Sequence, residues 1–175
     1  METQVVKKFK WFWAWQDEKE ENWLSEMSRQ GFHLKTPGFF GSYEFTVGNP
    51  IDYIYQLDFI TSSNKDMAAY LQLFKDMGWD YLGNMGGWQY FRTEVANGDT
   101  PQIFSDNVSK IQKYQRIIGI LLIYLPIYMI YPTILNKFNS LFMDILTLFF
   151  TFILIIFSVA ILCLIRRISE LKKKI

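Results

Sequence analysis

The 175 residues contain one cysteine, Cys163, and one histidine, His33. Cys163 lies inside an apolar run, so neither a disulfide framework nor a thiolate zinc motif can be built from it. A histidine metal cluster or a Ser/His/Asp triad would have to run through His33 alone, which reads as a structural or surface residue. Also missing are a GxSxG nucleophile elbow, a P-loop, an HExxH pair, a CxxC pair and a Rossmann glycine fingerprint. The glycines of "GNMGGW" follow no strand-to-helix phosphate site and read as a hairpin turn. These absences leave no poised nucleophile, no metal set and no cofactor cradle, so the expectation is a non-enzyme without cofactors. The opening "METQVVKKFK" lacks the continuous apolar core of a signal peptide, and no export of the N-terminal part is expected.

A cationic stripe is missing as well. The net charge of +1 hides a segregation, with acids dominating before about residue 100 and Lys and Arg after it. An acidic N-terminal half offers phosphates little purchase, however many aromatics it carries, so direct nucleic-acid binding is not expected.

What the chain does have is apolar length. Ile117 to Leu135 reads "IIGILLIYLPIYMIYPTIL" and Ile145 to Ile165 reads "ILTLFFTFILIIFSVAILCLI", both without a charge. Each approaches the roughly 20 residues that a helix needs to cross about 30 Å of hydrocarbon. Both are apolar on every face, which a helix packed by one stripe is not. The predicted organisation is a cytoplasmic domain over 1–95, a linker over 96–109, a first membrane helix over 110–136, a short external loop over 137–140, a second helix over 141–166 and a basic tail over 167–175. Lys110, Lys113 and Arg116 precede the first span, and Arg166, Arg167, Lys172, Lys173 and Lys174 follow the second. The loop offers only Lys137, so both termini should be cytoplasmic and the location the cell membrane. Tyr124, Tyr128 and Tyr131 suggest a packing or partner face, and Pro126 and Pro132 a kink in the first helix. Asp144 sits at the outer edge of the second span. The tail "RRISELKKKI" reads as a topological stop signal or as a contact with anionic lipid.

Before the spans, strand-like and helix-like patterns alternate. Asp17 to Gln30 places Trp23, Leu24 and Met27 on one helical face, with acids in the first turn, an Asp17/Glu20 capping box and Gly31 beyond its end. Asn64 to Met77 repeats the design with Met67, Tyr70, Leu71 and Phe74, closed by Gly78. An offset of 70 − 23 = 47 superposes Trp23 on Tyr70, Leu24 on Leu71, Gly31 on Gly78, Phe12 on Phe59 and Tyr43 on Tyr90. The glycine after each helix can turn left-handed, letting Phe32 pack on Met27 and Trp79 on Phe74. The predicted fold is therefore α+β: two β-α-β-β repeats giving a largely antiparallel sheet, with both helices on one face, of ferredoxin-like flavour. The strands are expected at Lys8–Trp15, Phe32–Thr36, Phe39–Val47, Ile51–Ile60, Asp80–Met85 and Trp88–Glu94.

The segment "KKFKWFWAW" strains this scheme. As a strand it would set Phe9, Trp11, Trp13 and Trp15 on one face and Lys8, Lys10, Phe12 and Ala14 on the other. Alternation makes the tryptophan face core, because lysines avoid the space beneath helices. The repeat register makes the Phe12 face core and leaves an open aromatic face, which would mean a partner or ligand.

The runs "FWAWQDEKEENWLSEMSRQGFHLKTPGFFGSYEF", "YIYQLDF" and "YLQLFKDMGWDYLGNMGGWQYFR" together resemble the bacterial domain-of-unknown-function family 2812, over roughly Lys8 to Arg92. Phe32 stands where that family more often has tryptophan, which keeps the packing role. The resemblance implies a small bacterial protein with a C-terminal membrane hairpin, a regulatory or sensing accessory often encoded beside PadR-type transcriptional regulators. It implies no reaction and no catalytic residues.

The expectation that follows is a membrane-anchored sensing or interaction module. It binds an apolar ligand or a partner on an aromatic surface made by Trp11, Trp13, Trp15, Trp88 and Tyr90, with Arg92 as an anion anchor. Expected partners are the lipid bilayer and a PadR-type regulator or another membrane protein. The alternative is a structural accessory subunit of a membrane transporter or other complex, joined through Tyr124, Tyr128 and Tyr131.

Overall fold

The computed structural model describes residues 4–60, 64–95, 107–135 and 140–174. The chain divides into an α+β unit, Met1–Ser105, and a helical unit, Asp106–Ile175. Residues 96–106 of the expected linker, 137–139 of the external loop and the side chain of Pro132 lie outside the described residues, while 107–109 of that linker open the first helix of the helical unit.

In the α+β unit the order is β1 (Val5–Phe9), α1 (Asp17–Arg29), β2 (Phe32–Pro37), β3 (Ser42–Val47), β4 (Tyr53–Phe59), α2 (Asn64–Asp76), β5 (Asp80–Met85) and β6 (Trp88–Glu94). Not one sheet but two form, ordered β1-β3-β2 and β4-β6-β5, every pairing antiparallel. The single expected sheet is thus corrected, and the edge strands β2 and β5 explain why. Each carries a bulge, at Lys35 and at Leu82, that breaks the ladder and twists the edge. Pro37 brings no N–H, and the Leu34 N–H already bonds the Tyr55 hydroxyl at 3.2 Å.

The placement of the helices is corrected too. Leu24 and Met27 of α1 share one core with Leu34, Tyr43 and Phe45 of the first sheet and with Tyr55, Leu57 and Tyr90 of the second. Glu21 adds a bond from Oε1 to the Leu57 N–H at 2.8 Å. So α1 serves both sheets. α2 packs through Phe74 on Phe91, with rings stacked 4.0 Å apart, and on Trp79. Alternation along β6 puts Phe91 on the face opposite Tyr90. The two helices therefore lie on opposite faces of the second sheet rather than together on one.

Both helices end as the glycines predict, Gly31 at φ 84° and Gly78 at φ 81°. The N-terminus of α1 differs from expectation. Its cap is Gln16, without a side-chain cap bond, because Asp17 is already helical and Glu20 is drawn into the core. His33 is structural: Nε2 donates to the Asn49 carbonyl at 2.8 Å, Nδ1 faces the Ser28 hydroxyl at 3.3 Å, and the ring is buried.

The helical unit is a pair, α3 (Asn107–Leu135) and α4 (Leu141–Lys172), both long and apolar enough to cross a membrane. Only 11% of each apolar stretch is buried within the chain, unlike the core helix of a globular domain. The basic tail continues α4 as helix to Lys172.

Candidate functional site

The aromatic block leaves the sheet. β1 stops at Phe9 because its only neighbour, β3, begins at Ser42 directly opposite. One further bond, Lys10 N–H to Gly41 O at 2.8 Å, marks the end of the ladder, and past it the β2–β3 turn offers nothing to pair with. The chain then closes a turn in which the Gln16 N–H donates to Trp13 O at 2.8 Å and the Trp13 N–H to Gln16 Oε1 at 3.2 Å. Lys10 to Gln16 is therefore a loop, where a strand to Trp15 was expected.

Freed from alternation, the side chains sort by partner. Phe12 turns in against Trp23, ring centres 5.6 Å apart. Trp11 and Trp13 turn out, 56% and 40% exposed. Their rings meet edge to face at 5.8 Å, and Trp13 stacks on the half-buried Trp15 at 5.3 Å with planes 5° apart. Such ring pairs add about 0.5–1.5 kcal/mol each beyond area, enough to hold a surface cluster in one shape. Beside the loop, the β2–β3 turn displays Phe39 and Phe40, 72% and 85% exposed, and Phe9 is 75% exposed. Gly41 keeps the two segments together, since a Cβ there would fall 2.6 Å from Lys10 O. Phe40 holds φ 56°, a left-handed conformation that a bulky residue adopts only at a cost.

The conflict over the strand face resolves with Lys8, and not Phe9, on the core side. Lys8 pairs with Tyr43 and Val6 with Phe45, so the lysine shares the face turned to α1. It reaches the margin of the core, its Nζ 3.9 Å from the centre of the Phe32 ring, keeping a cation over an aromatic face.

Trp88, Tyr90 and Arg92 do not join this exposed cluster. Trp88 is half-buried against Phe59 at 5.3 Å, and Tyr90 is buried. Arg92 is engaged over the Tyr53 ring at 4.6 Å and beside Asp80 at 3.6 Å, where it braces the sheet. In the helical unit Tyr128 packs on Phe157 at 5.1 Å and Tyr131 stacks on Phe150 at 4.8 Å, while Tyr131 and Tyr124 are both about half exposed.

Phe9 stands on the face that the open-aromatic alternative exposes, whereas Phe39, Phe40 and Glu20 are not anticipated from the sequence. "GFFG", two phenylalanines between glycines, was the available signal for a turn rather than a strand start. Glu20 is more than a helix-start acid: its Oε1 accepts from Tyr43 at 2.7 Å and from Tyr90 at 2.6 Å, joining the two sheets through α1. Burial raises the Glu20 carboxyl above its usual range against the pull of both hydroxyls, and nearby Asp17 raises it further. Burial, and next the facing carboxylate, push both tyrosine hydroxyls upward. These are buried, mutually satisfied groups that serve the core.

An open groove of about 390 Å³ between α2 and β5 is lined by Leu71, Lys75, Trp79 and Tyr81 among others. Among the described residues, no three His, Cys, Asp or Glu side chains converge as a metal set.

The profile of the family described as "Protein of unknown function (DUF2812)" matches residues 16–125, from the α1 cap into α3. The chain belongs to this family. The match begins one residue past Trp15, so the tryptophan cluster lies outside it. No curated protein matches the chain, and neither does any solved structure.

Proposed function

We propose that this family member is a membrane-anchored cytoplasmic interaction module and a regulatory accessory. Its tryptophan loop is the surface that takes a ligand or partner. The observation that carries the reading is the outward face of Trp11 and Trp13, held in one cluster of rings outside the hydrophobic core. Large aromatics left in solvent as a group are uncommon without a partner. The low burial of the two long helices supports insertion as a hairpin. The cations of 110–116 and 166–174 support a cytoplasmic position for both termini. The reading assigns no chemical step and no cofactor. The lipid bilayer, and a PadR-type regulator or another membrane protein, are the proposed partners.

We also infer that the α+β unit is an internal duplication. The bond Lys10 N–H to Gly41 O is matched by Ile60 N–H to Gly87 O, offsets of 60 − 10 = 50 and 87 − 41 = 46. Between these, helices and bulges follow 64 − 17 = 47 and 81 − 34 = 47. A constant offset of 47 is thus replaced by three: Phe59 corresponds to Phe9 rather than Phe12, and Tyr43 to Gln89 rather than Tyr90. The excess of 50 − 47 = 3 residues falls between β1 and α1, in the tryptophan loop. The first half thus carries an insertion where the aromatic surface is.

The test is affinity capture of the full chain from native membranes in mild detergent, comparing wild type with Trp11→Ser/Trp13→Ser. A co-purifying protein lost in the variant is expected. An identical set of captured proteins in both would remove the loop from the interaction. The structural-subunit alternative keeps Tyr124 and Tyr131, each about half exposed, as its membrane face, whereas Tyr128 packs on Phe157.

A further inference from the structure

We infer that the tryptophan loop and the adjoining phenylalanine turn form a docking surface for the anionic face of a lipid bilayer. The inference rests on the membrane-anchored reading above and names what covers the aromatic surface. Three observations select lipid.

The first is side-chain chemistry. Phe9, Trp11, Trp13, Phe39 and Phe40 are exposed at one end of the first sheet, joined through the Lys10–Gly41 bond and the Phe9–Ser42 pairing. Phenylalanine and tryptophan at a protein tip suit the zone between headgroups and acyl chains, where a ring is half in oil and an indole N–H half in water. Phe40 is the extreme case. It is almost fully exposed in a left-handed conformation, so nothing within the fold repays its strain.

The second is charge. Lys7, Lys8 and Lys10 lead into the loop, and the acids that follow it in α1's first turns are buried or half-buried. Asp17 and Glu20 are buried, Glu21 holds the Leu57 N–H, and Glu44 pairs with Lys7 at 3.1 Å. The Lys10 ammonium rides 5.0 Å from the centre of the Trp23 ring, beside the loop rather than in an ion pair with it. An aromatic tip with a basic collar complements a leaflet of anionic lipid, each cation contributing about five-fold in partitioning.

The third is tethering and tryptophan placement. The loop and the two apolar helices belong to one chain. The loop thus meets the bilayer as an intramolecular partner at high effective concentration. Neither apolar helix contains a tryptophan, although this residue commonly marks the interface of a span. All six lie between Trp11 and Trp88.

That last fact supplies the experiment. In the full chain reconstituted into bilayers, tryptophan emission comes from the α+β unit alone, so quenching by lipids brominated near the headgroup reports docking. Expected is clear quenching in bilayers containing phosphatidylglycerol. It should weaken several-fold in Phe39→Ser/Phe40→Gly, which retains every tryptophan, and about five-fold in the docking equilibrium of Lys10→Gln. Unchanged emission of the variants in detergent checks that they fold. Equal emission in brominated and plain lipid overturns the inference. If the loop variant nevertheless loses a captured protein, the surface serves a protein partner, and the interaction-module reading survives without this one. Quenching that is equal in phosphatidylcholine and phosphatidylglycerol bilayers overturns the anionic assignment.

Discussion

The two helices of the α+β unit began as the same pattern and ended in different surroundings. Each has 13 residues, an apolar stripe and a glycine just beyond its end. Yet α1 is gripped by both sheets, with Leu24 fully buried and Glu20 bonded to a tyrosine from each. α2 rests on one sheet and leaves Leu73 56% exposed. Amphipathicity announces that a helix has a buried face; how much of the other face is covered depends on which neighbour arrives later in the chain. The unit is thus held from the first half and open on the second.

The largest effect should come from truncating the enclosed helix. Leu24→Ala is expected to cost about 3 kcal/mol of unfolding free energy, whereas Leu73→Ala should stay within about 0.5 kcal/mol. Denaturant unfolding of the full chain in detergent, followed by tryptophan emission, reads both. Similar costs would mean that α2 is covered as α1 is.

Next in size is Glu20→Ala, which leaves two buried tyrosine hydroxyls without their acceptor, a loss of about 2 kcal/mol in the same assay. The pH dependence sharpens this. Because the folded Glu20 carboxyl is raised above 4.5, the native state binds its proton more tightly than the unfolded chain does. Its contribution to stability is therefore fully present below that value and is lost as pH rises through the folded pKa. Glu20→Gln should flatten this decline, and a variant with the wild-type slope would place the titration elsewhere.

Phe40→Gly should work in the opposite direction. Relief of a left-handed aromatic residue is expected to add about 1 kcal/mol to stability, visible as a higher denaturation midpoint. A loss instead would show that Phe40 packs within the fold, and would count against its role at the surface.

Much of this was legible in advance. The helices, their glycine ends, five of six strands to within a few residues and the two apolar helices follow from periodicity and turn chemistry. The exception, Lys8 to Trp15, alternates like a strand and is rich in strand-favouring aromatics. What stops it is the start of β3 at Ser42, a property of another segment that local pattern cannot report. The split into two sheets was hidden for a similar reason, since it depends on bulges at Lys35 and Leu82 that look like ordinary strand residues. Of the six residues expected to form the aromatic surface, Trp11, Trp13 and Trp15 come together. Trp88, Tyr90 and Arg92 lie one apart from the next on β6 and face the core side, because alternation carries them with Tyr90.

The claim at the centre is that the tryptophan loop is a working surface added to a fold that stands without it. The unfolding free energy of full-length Trp11→Ser/Trp13→Ser tests it most directly, with Trp15, Trp23, Trp79 and Trp88 still reporting. The account predicts a change within about 0.5 kcal/mol of wild type. A loss of about 3 kcal/mol, the scale expected for Leu24→Ala, would contradict it by showing that the loop belongs to the core.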